Sequence, residues 1–321
     1  MSFSGDVKRE LCEVLPGSRH CRIAELAAIL GICGKITVDE KGKCQLWIQT
    51  ENLTVAKKYF TLMRKAFHAV CEVSVRRRAG QKKGASFTVI LREDTLVREI
   101  LLETGLLRSN DAFPGEDIIG EQKKLLHRDC CKRAYLRGTF LAAGTITDPE
   151  KSYHFELVTP DYEKAVMMRD LIGSFPLDPK IVTRGKNFVV YVKEGEQIVD
   201  LLNLMGAHVA LMNLENVRIV KEVRNQINRG VNCEAANIKK TVNASRKQVE
   251  DITYIKQNAG LASLPDNLET IARLRLSEPD ISLAELGERL DPPLGKSGVN
   301  HRLRKISMIA DSLRQKKGES L

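Results

Sequence analysis

Along the first two thirds of the chain, apolar positions follow two alternating rhythms. Stretches with a period near 3.6, such as 25–36 (ELAAILGICGKI) and 135–146 (YLRGTFLAAGTI), give way to short alternating runs such as LWIQT (46–50) and FELVT (155–159). The first rhythm lines one face of a helix, the second one face of a strand. The order then repeats. Thr50 corresponds to Thr159, Gly34 to Gly144, and FTVIL (87–91) to FVVYV (188–192), at offsets of 109, 110 and 101. The last offset is shorter because the first copy carries the basic turn RRRAGQKKG (76–84), where the second has only RGK (184–186).

Each copy is therefore predicted to run helix, two strands, helix, two strands, helix. Strands are expected near 34–40, 43–50, 71–78 and 86–92, then near 145–148, 152–159, 179–184 and 187–193. Closing helices are expected near 94–106 and 194–205. Hairpins with helices on one face make an α+β unit. Two copies, 1–108 and 109–217, predict a pseudo-twofold αββαββα pair. Small residues mark the opening helices: Ala27, Ala28 and Gly31 on the first, Gly138 and Ala142 on the second. Glycine costs about 1 kcal/mol inside a helix, so its presence asks for close packing of the two helices.

The last third, 218–321, is predicted to be all-helical, with 206–217 a short joining segment. Val231, Ala235, Ile238 and Val242 share one helix face, while Asn228, Arg229, Asn232, Asn237, Lys239 and Lys240 lie on the other side. Residues 264–276 follow, with Asp266 as expected N-cap and Glu278-Pro279 as stop signal. In 281–290, Ser282 and Glu285 have capping-box spacing. Asp291-Pro292-Pro293 ends that helix, Gly295 closes the turn, and a longer helix covers 296–313. Short helix, turn and long helix make a helix-turn-helix at 282–314.

On a wheel of the last helix, Val299, Leu303, Ile306, Ala310 and Leu313 form the core face. Outward stand Ser297, His301, Arg304, Lys305 and Met308, with Asn300 on the flank. Arg grips guanine and Asn adenine through paired hydrogen bonds. Ser297, Asn300, His301 and Arg304 are thus the candidate base readers. Lys296, Arg302, Lys305, Arg229 and Lys240 are candidate phosphate contacts. An ordinary solvated surface has a similar composition; the capped preceding helix and the Pro-Pro-x-Gly turn favour a reader.

Charge agrees with that placement. Lys and Arg number 51 against 41 acidic residues, a net of +10, and 295–317 alone carries seven basic residues and one acidic. A second basic cluster, Arg76, Arg77, Arg78, Lys82 and Lys83, falls in the long turn and could touch DNA or simply be solvated. With 43% hydrophobic and 29% charged residues the chain is an ordinary globular one. It has no apolar run of about 18 residues for a membrane span and no apolar signal core at its start. A cytoplasmic protein is expected. The eight cysteines form no C-x-x-C pair, and free buried thiols are expected. His127, Cys130 and Cys131 have the only metal-like spacing, but neighbouring helical residues point about 100° apart, so they are assigned to the core. No metal, cofactor or small-molecule substrate is expected, and no Walker-type motif is present.

Leu26 to Gly34 (LAAILGICG) and Leu136 to Gly144 (LRGTFLAAG) resemble the nine-residue motif of LAGLIDADG homing endonucleases in length, first Leu and last Gly. In active members an acid precedes the last Gly and holds a divalent metal. Here Cys33 and Ala143 stand there, and Asp39 and Asp148 come too late to replace them. The resemblance therefore implies the fold without the nuclease chemistry. MSF…VKRELC at the start, CCKRAYLRGTFLAAGTI in the middle and the C-terminal module together resemble the WhiA family of bacterial regulators. That implies a nucleoid-associated, sequence-specific regulator of double-stranded DNA, linked to cell division, chromosome segregation or sporulation, with room for a regulatory protein partner. Two alternatives stay open: an endonuclease with displaced acids, and an RNA-binding maturase-like protein. The low aromatic content, 5% with Trp47 the one tryptophan, offers the second little stacking surface.

Overall fold

A computed structural model describes residues 2–38, 40, 42–77, 85–107 and 122–316. The chain divides into two compact units, 1–221 and 222–321.

In the first unit, helix α1 (Phe3–Glu13) precedes the first copy: α2 (Arg19–Cys33), β1 (Gly34–Val38), β2 (Cys44–Thr50), α3 (Leu53–Phe67), β3 (Glu72–Arg77), β4 (Ala85–Leu91) and α4 (Asp94–Glu103). The second copy is α5 (Asp129–Ala143), β5 (Gly144–Ile146), β6 (Phe155–Thr159), α6 (Tyr162–Gly173), β7 (Lys180–Arg184), β8 (Asn187–Val192) and α7 (Gly195–Met205). Both sheets are antiparallel, in the orders β1-β2-β4-β3 and β5-β6-β8-β7. The repeat seen in the sequence is thus a repeat of topology. The β5–β6 hairpin is shorter than expected: its paired stretch ends at Ile146 and resumes at Phe155.

The matched threonines have a common task. The hydroxyls of Thr50 and Thr159 each accept from the backbone N–H two residues on, at Asn52 and Asp161. Those two side chains then cap the next helices, accepting from Thr54 and from Glu163 and Lys164. The strand-to-helix turn is built twice from the same local chemistry.

Helices α2 and α5 pack together at the centre. Residues 23–30 of α2 are buried all round, as a helix is when every face meets protein. Gly138 makes the crossing possible: a Cβ there would lie 2.4 Å from the Glu25 carbonyl oxygen and 2.9 Å from the Ala28 Cβ. Gly31 has a different reason. It leaves room for the Gln122 side chain, which donates to the Ala27 carbonyl and accepts from the Tyr135 hydroxyl. The motif-final glycines are equally constrained, since a Cβ on Gly34 would sit 2.4 Å from the Leu30 carbonyl and one on Gly144 2.2 Å from the Phe140 ring.

Helix α8 (His208–Asn258) is one unbroken helix of 51 residues that begins in the first unit and ends in the second. The joining segment expected at 206–217 is therefore helical from His208, after the left-handed Gly206 ends α7. Ala210 and Leu214 anchor its start in the core. From 222 to 244 every residue is exposed, so the apolar face shared by Val231, Ala235, Ile238 and Val242 meets water: nothing among the described residues buries it. Ile252 and Ile255 are buried again, in the core of the second unit. That core is completed by a 3₁₀ turn (Leu261–Ser263), α9 (Asp266–Ser277), α10 (Leu283–Glu288) and α11 (Lys296–Lys316). Asp266, expected as N-cap, is instead the first helical residue, with Pro265 in the cap position.

Candidate functional site

The second unit holds α11 in place from three directions. Ahead of α10, the Ser282 hydroxyl accepts from the Glu285 N–H and the Glu285 carboxylate accepts from the Ser282 N–H, at 2.8 Å for the latter. Hydrogen bonding from Ser282, its backbone N–H foremost, keeps the exposed Glu285 carboxyl below its ordinary value. The turn then folds back over Gly287: the Leu294 N–H donates to the Gly287 carbonyl at 2.9 Å, and a Cβ on Gly287 would lie 1.9 Å from the Leu294 carbonyl. Underneath, Arg275 is almost wholly buried and donates to the carbonyls of Pro279 and Ile281. Burial pulls its guanidinium below the usual arginine value. At the far end, Arg314 pairs with buried Asp251 at 2.7 Å and lies over the Tyr254 ring.

Fixed in this way, α11 buries Val299, Leu303, Ile306 and Ala310, with Leu313 partly covered. Ser297, His301, Arg304, Lys305 and Met308 are exposed on the outer side, with Lys296 at the helix start, and Asn300 is half-buried at the flank. The outer face thus presents hydroxyl, imidazole, guanidinium and ammonium groups together. Arg302 departs from the expected pattern: it donates to the Asn267 carbonyl at 3.3 Å, which draws it toward α9. Arg229 and Lys240 are exposed on α8. In the long turn, Arg76 ends exposed on β3 and Arg77 closes that strand, whereas Arg78, Lys82 and Lys83 lie outside the described residues.

At the foot of the central helix pair stand Cys33 and Ala143, each just before the motif-final glycine. Burial pushes the Cys33 thiol up, with the charge of Lys8 opposing. Burial also pulls Lys8 down, and its ammonium lies 5.7 Å from the Phe140 ring centre. Lys164 donates to the Gly31 carbonyl at 2.9 Å. Thiol, methyl and two ammonium groups are the wrong chemistry for a hard divalent cation, which needs carboxylate oxygens. Asp148 cannot stand in, because its carboxylate accepts from the Glu150 N–H within the hairpin turn; Asp39 lies outside the described residues.

The cysteines are not all buried: Cys130 and Cys233 are exposed. Nor is His127 the histidine that meets Cys130 and Cys131. His20 and Cys21 do so, with all four donor atoms within 4.8 Å of one another. Sequence spacing missed this group because its halves are 110 residues apart.

Comparison with known proteins covers most of the chain. Residues 19–107 match the family model for the WhiA N-terminal LAGLIDADG-like domain, 132–224 the WhiA LAGLIDADG-like domain, and 227–310 the WhiA C-terminal HTH domain. A probable cell division protein WhiA of Lachnoclostridium phytofermentans is 49% identical over 315 residues, covering 98% of this chain and all of that one. One from Thermoanaerobacter pseudethanolicus is 47% identical over 99% of each chain. The crystal structure of full-length DUF199/WhiA from Thermatoga maritima shares the fold, with a TM-score of 0.59 at 24% identity over 97% of this chain and 99% of that one.

Proposed function

The chain belongs to the WhiA family, and on that footing we propose that it is a sequence-specific, non-enzymatic regulator that binds double-stranded DNA in the control of cell division, chromosome segregation or sporulation. The observation that carries this reading is the outer face of α11, where Ser297, His301, Arg304 and Lys305 stand exposed on a helix held by the turn that folds over Gly287 and by the Arg314–Asp251 pair. In this reading α11 enters the major groove, as the second helix of a helix-turn-helix does. Ser297, Asn300, His301 and Arg304 read base edges. Lys296, Arg302 and Lys305, with Arg229 and Lys240 on α8, contact phosphates, and Arg302 also ties α11 to α9 through the Asn267 carbonyl.

The division of labour follows the three segments proposed from the sequence: 1–108 and 109–217 as paired scaffold copies, 218–321 as the reader with its helix-turn-helix at 282–314. The scaffold lacks the acids of the endonuclease motif and supplies DNA-backbone contacts or a docking face for a second regulatory protein. The protein works at the nucleoid. The deciding experiment is a footprint on genomic DNA with the full-length chain and with Arg304→Ala. Loss of a guanine contact costs about 1–3 kcal/mol, so the footprint should weaken or relax at one position. Identical footprints would remove Arg304 from the reading role, and nicking of duplex DNA in magnesium would overturn the non-enzymatic reading.

A further inference from the structure

The two central helices begin with chemistry that the DNA-binding role leaves unused. His20 and Cys21 are the second and third residues of α2, and Cys130 and Cys131 are the second and third residues of α5. Their offset of 110 is that of Gly34 and Gly144, so the pseudo-twofold that relates the helices relates His20 to Cys130 and Cys21 to Cys131. Either pair alone splays around its own helix. Facing each other across the seam, the two pairs converge.

We propose that these four side chains form a tetrahedral zinc site that clamps the two repeats together at the ends of the helices opposite the motif glycines. The His20 Nδ1 lies 3.2 Å from the Cys131 Sγ and 3.3 Å from the Cys21 Sγ, and all four donors fall within 4.8 Å. With metal–sulfur bonds of about 2.3 Å and metal–nitrogen bonds of about 2.0 Å, the edges of a zinc tetrahedron are about 3.5–3.8 Å. Closing the group around an ion therefore needs side-chain shifts of about an ångström, which rotations about χ1 supply. Three thiolates and one imidazole are a soft donor set that suits zinc and excludes magnesium or calcium. Burial pushes the Cys21 and Cys131 thiols up, so they become thiolates only as the ion binds; the two helix N-termini, whose unpaired N–H groups favour negative charge, oppose that burial.

Cys21 and Cys131 are buried and Cys130 faces solvent, which gives the ion a way in. Each thiol gives its proton to solvent as it binds. Arg128 lies 3.3 Å from the His20 Nε2. When Nδ1 takes the metal, Nε2 carries the ring proton, and the exposed Arg128 side chain turns away into water.

The test uses the full-length chain, reduced and stripped of metal, and titrated first with Co²⁺ and then with Zn²⁺. One equivalent of cobalt should give the visible ligand-field bands and near-ultraviolet charge-transfer band of a tetrahedral thiolate complex, and zinc should abolish both. Cys130→Ser removes an exposed ligand without disturbing packing, and should weaken zinc binding by at least about tenfold. Cys233→Ser, which changes the other exposed cysteine, should leave binding unchanged. Absence of tetrahedral bands in the wild-type chain overturns the site. So does unaltered zinc affinity in Cys130→Ser.

Discussion

Glu25 on α2 and Arg137 on α5 meet at 3.1 Å across the seam between the repeats, with Glu25 fully buried and Arg137 only 7% exposed. Lys58 of α3 approaches the same carboxylate at 3.1 Å, and burial holds its ammonium below the ordinary lysine value. Arg137 also donates to the Met205 carbonyl at 2.8 Å, which ties the C-terminus of α7 to the same point. One carboxylate thus serves two cations from different elements.

Breaking such a group strands a charge away from water. Glu25→Gln should lower the unfolding free energy by about 3–5 kcal/mol, because it leaves the buried Lys58 and Arg137 cations without a counter-charge. Urea denaturation followed by circular dichroism measures it. A loss under about 1 kcal/mol, typical of exposed pairs, would show that the seam does not depend on this contact.

Gly138→Ala tests the same seam through sterics. The added methyl would press on the Glu25 carbonyl at 2.4 Å, so α2 and α5 must separate or bend. Overpacking of this kind costs about 1–3 kcal/mol. Gly173→Ala, where a Cβ meets nothing within 4 Å, is the control, and it should leave the thermal midpoint close to wild type.

In the reader, Gly287→Ala should abolish DNA binding while leaving the first unit folded. Its Cβ would lie 1.9 Å from the Leu294 carbonyl, so the turn before α11 cannot close over it. Electrophoretic mobility shift with the target duplex reads the loss. The fluorescence of Trp47, the one tryptophan, should keep its wild-type spectrum.

Acid should loosen α10 through Glu285. Backbone hydrogen bonding from Ser282 keeps its folded carboxyl below the ordinary 4.5. The unfolded chain therefore holds its proton more tightly, and the contribution to stability is fully present above the unfolded value and lost as pH falls through the folded one. A carboxyl-carbon NMR titration should place the Glu285 midpoint below 4.5. Glu285→Gln should flatten the acid limb of unfolding while keeping an acceptor for the Ser282 N–H.

Salt dependence isolates phosphate contacts from base reading. Each neutralised phosphate adds about 0.9 to the slope of log K against log salt. Lys305→Ala should reduce that slope by about one contact on specific and random duplexes alike. An unchanged slope would remove Lys305 from the phosphate set.

The fold was legible where local chemistry recurs. Thr50 and Thr159 and the capping spacing of Ser282 and Glu285 announce hydrogen bonds that close within three residues. Gly34 and Gly144 mark helix ends that no other residue fits. What the sequence hid needs two distant segments at once. The His20–Cys21–Cys130–Cys131 group depends on pairing α2 with α5, and Glu25 reads as a surface acid until Lys58 and Arg137 are brought to it. The apolar positions at 231, 238 and 242 mislead in the opposite sense: their period is helical, but periodicity states only which residues share a face. It does not state that a neighbour covers the face. For the candidate DNA contacts, the wheel correctly separated buried from exposed positions on α11. It could not see that Arg302 bends back to Asn267.

The bare middle of α8 gives one helix unequal stability along its length. Between 222 and 244 every residue is exposed, and a helical stretch of that kind is only marginally stable by itself in water. Its order is propagated inward from the anchored turns near Leu214 and Ile252. Amide protons in this middle should therefore exchange with solvent far sooner than those at either end, through local fraying that leaves both cores intact. Within α8, a protease would cut there first.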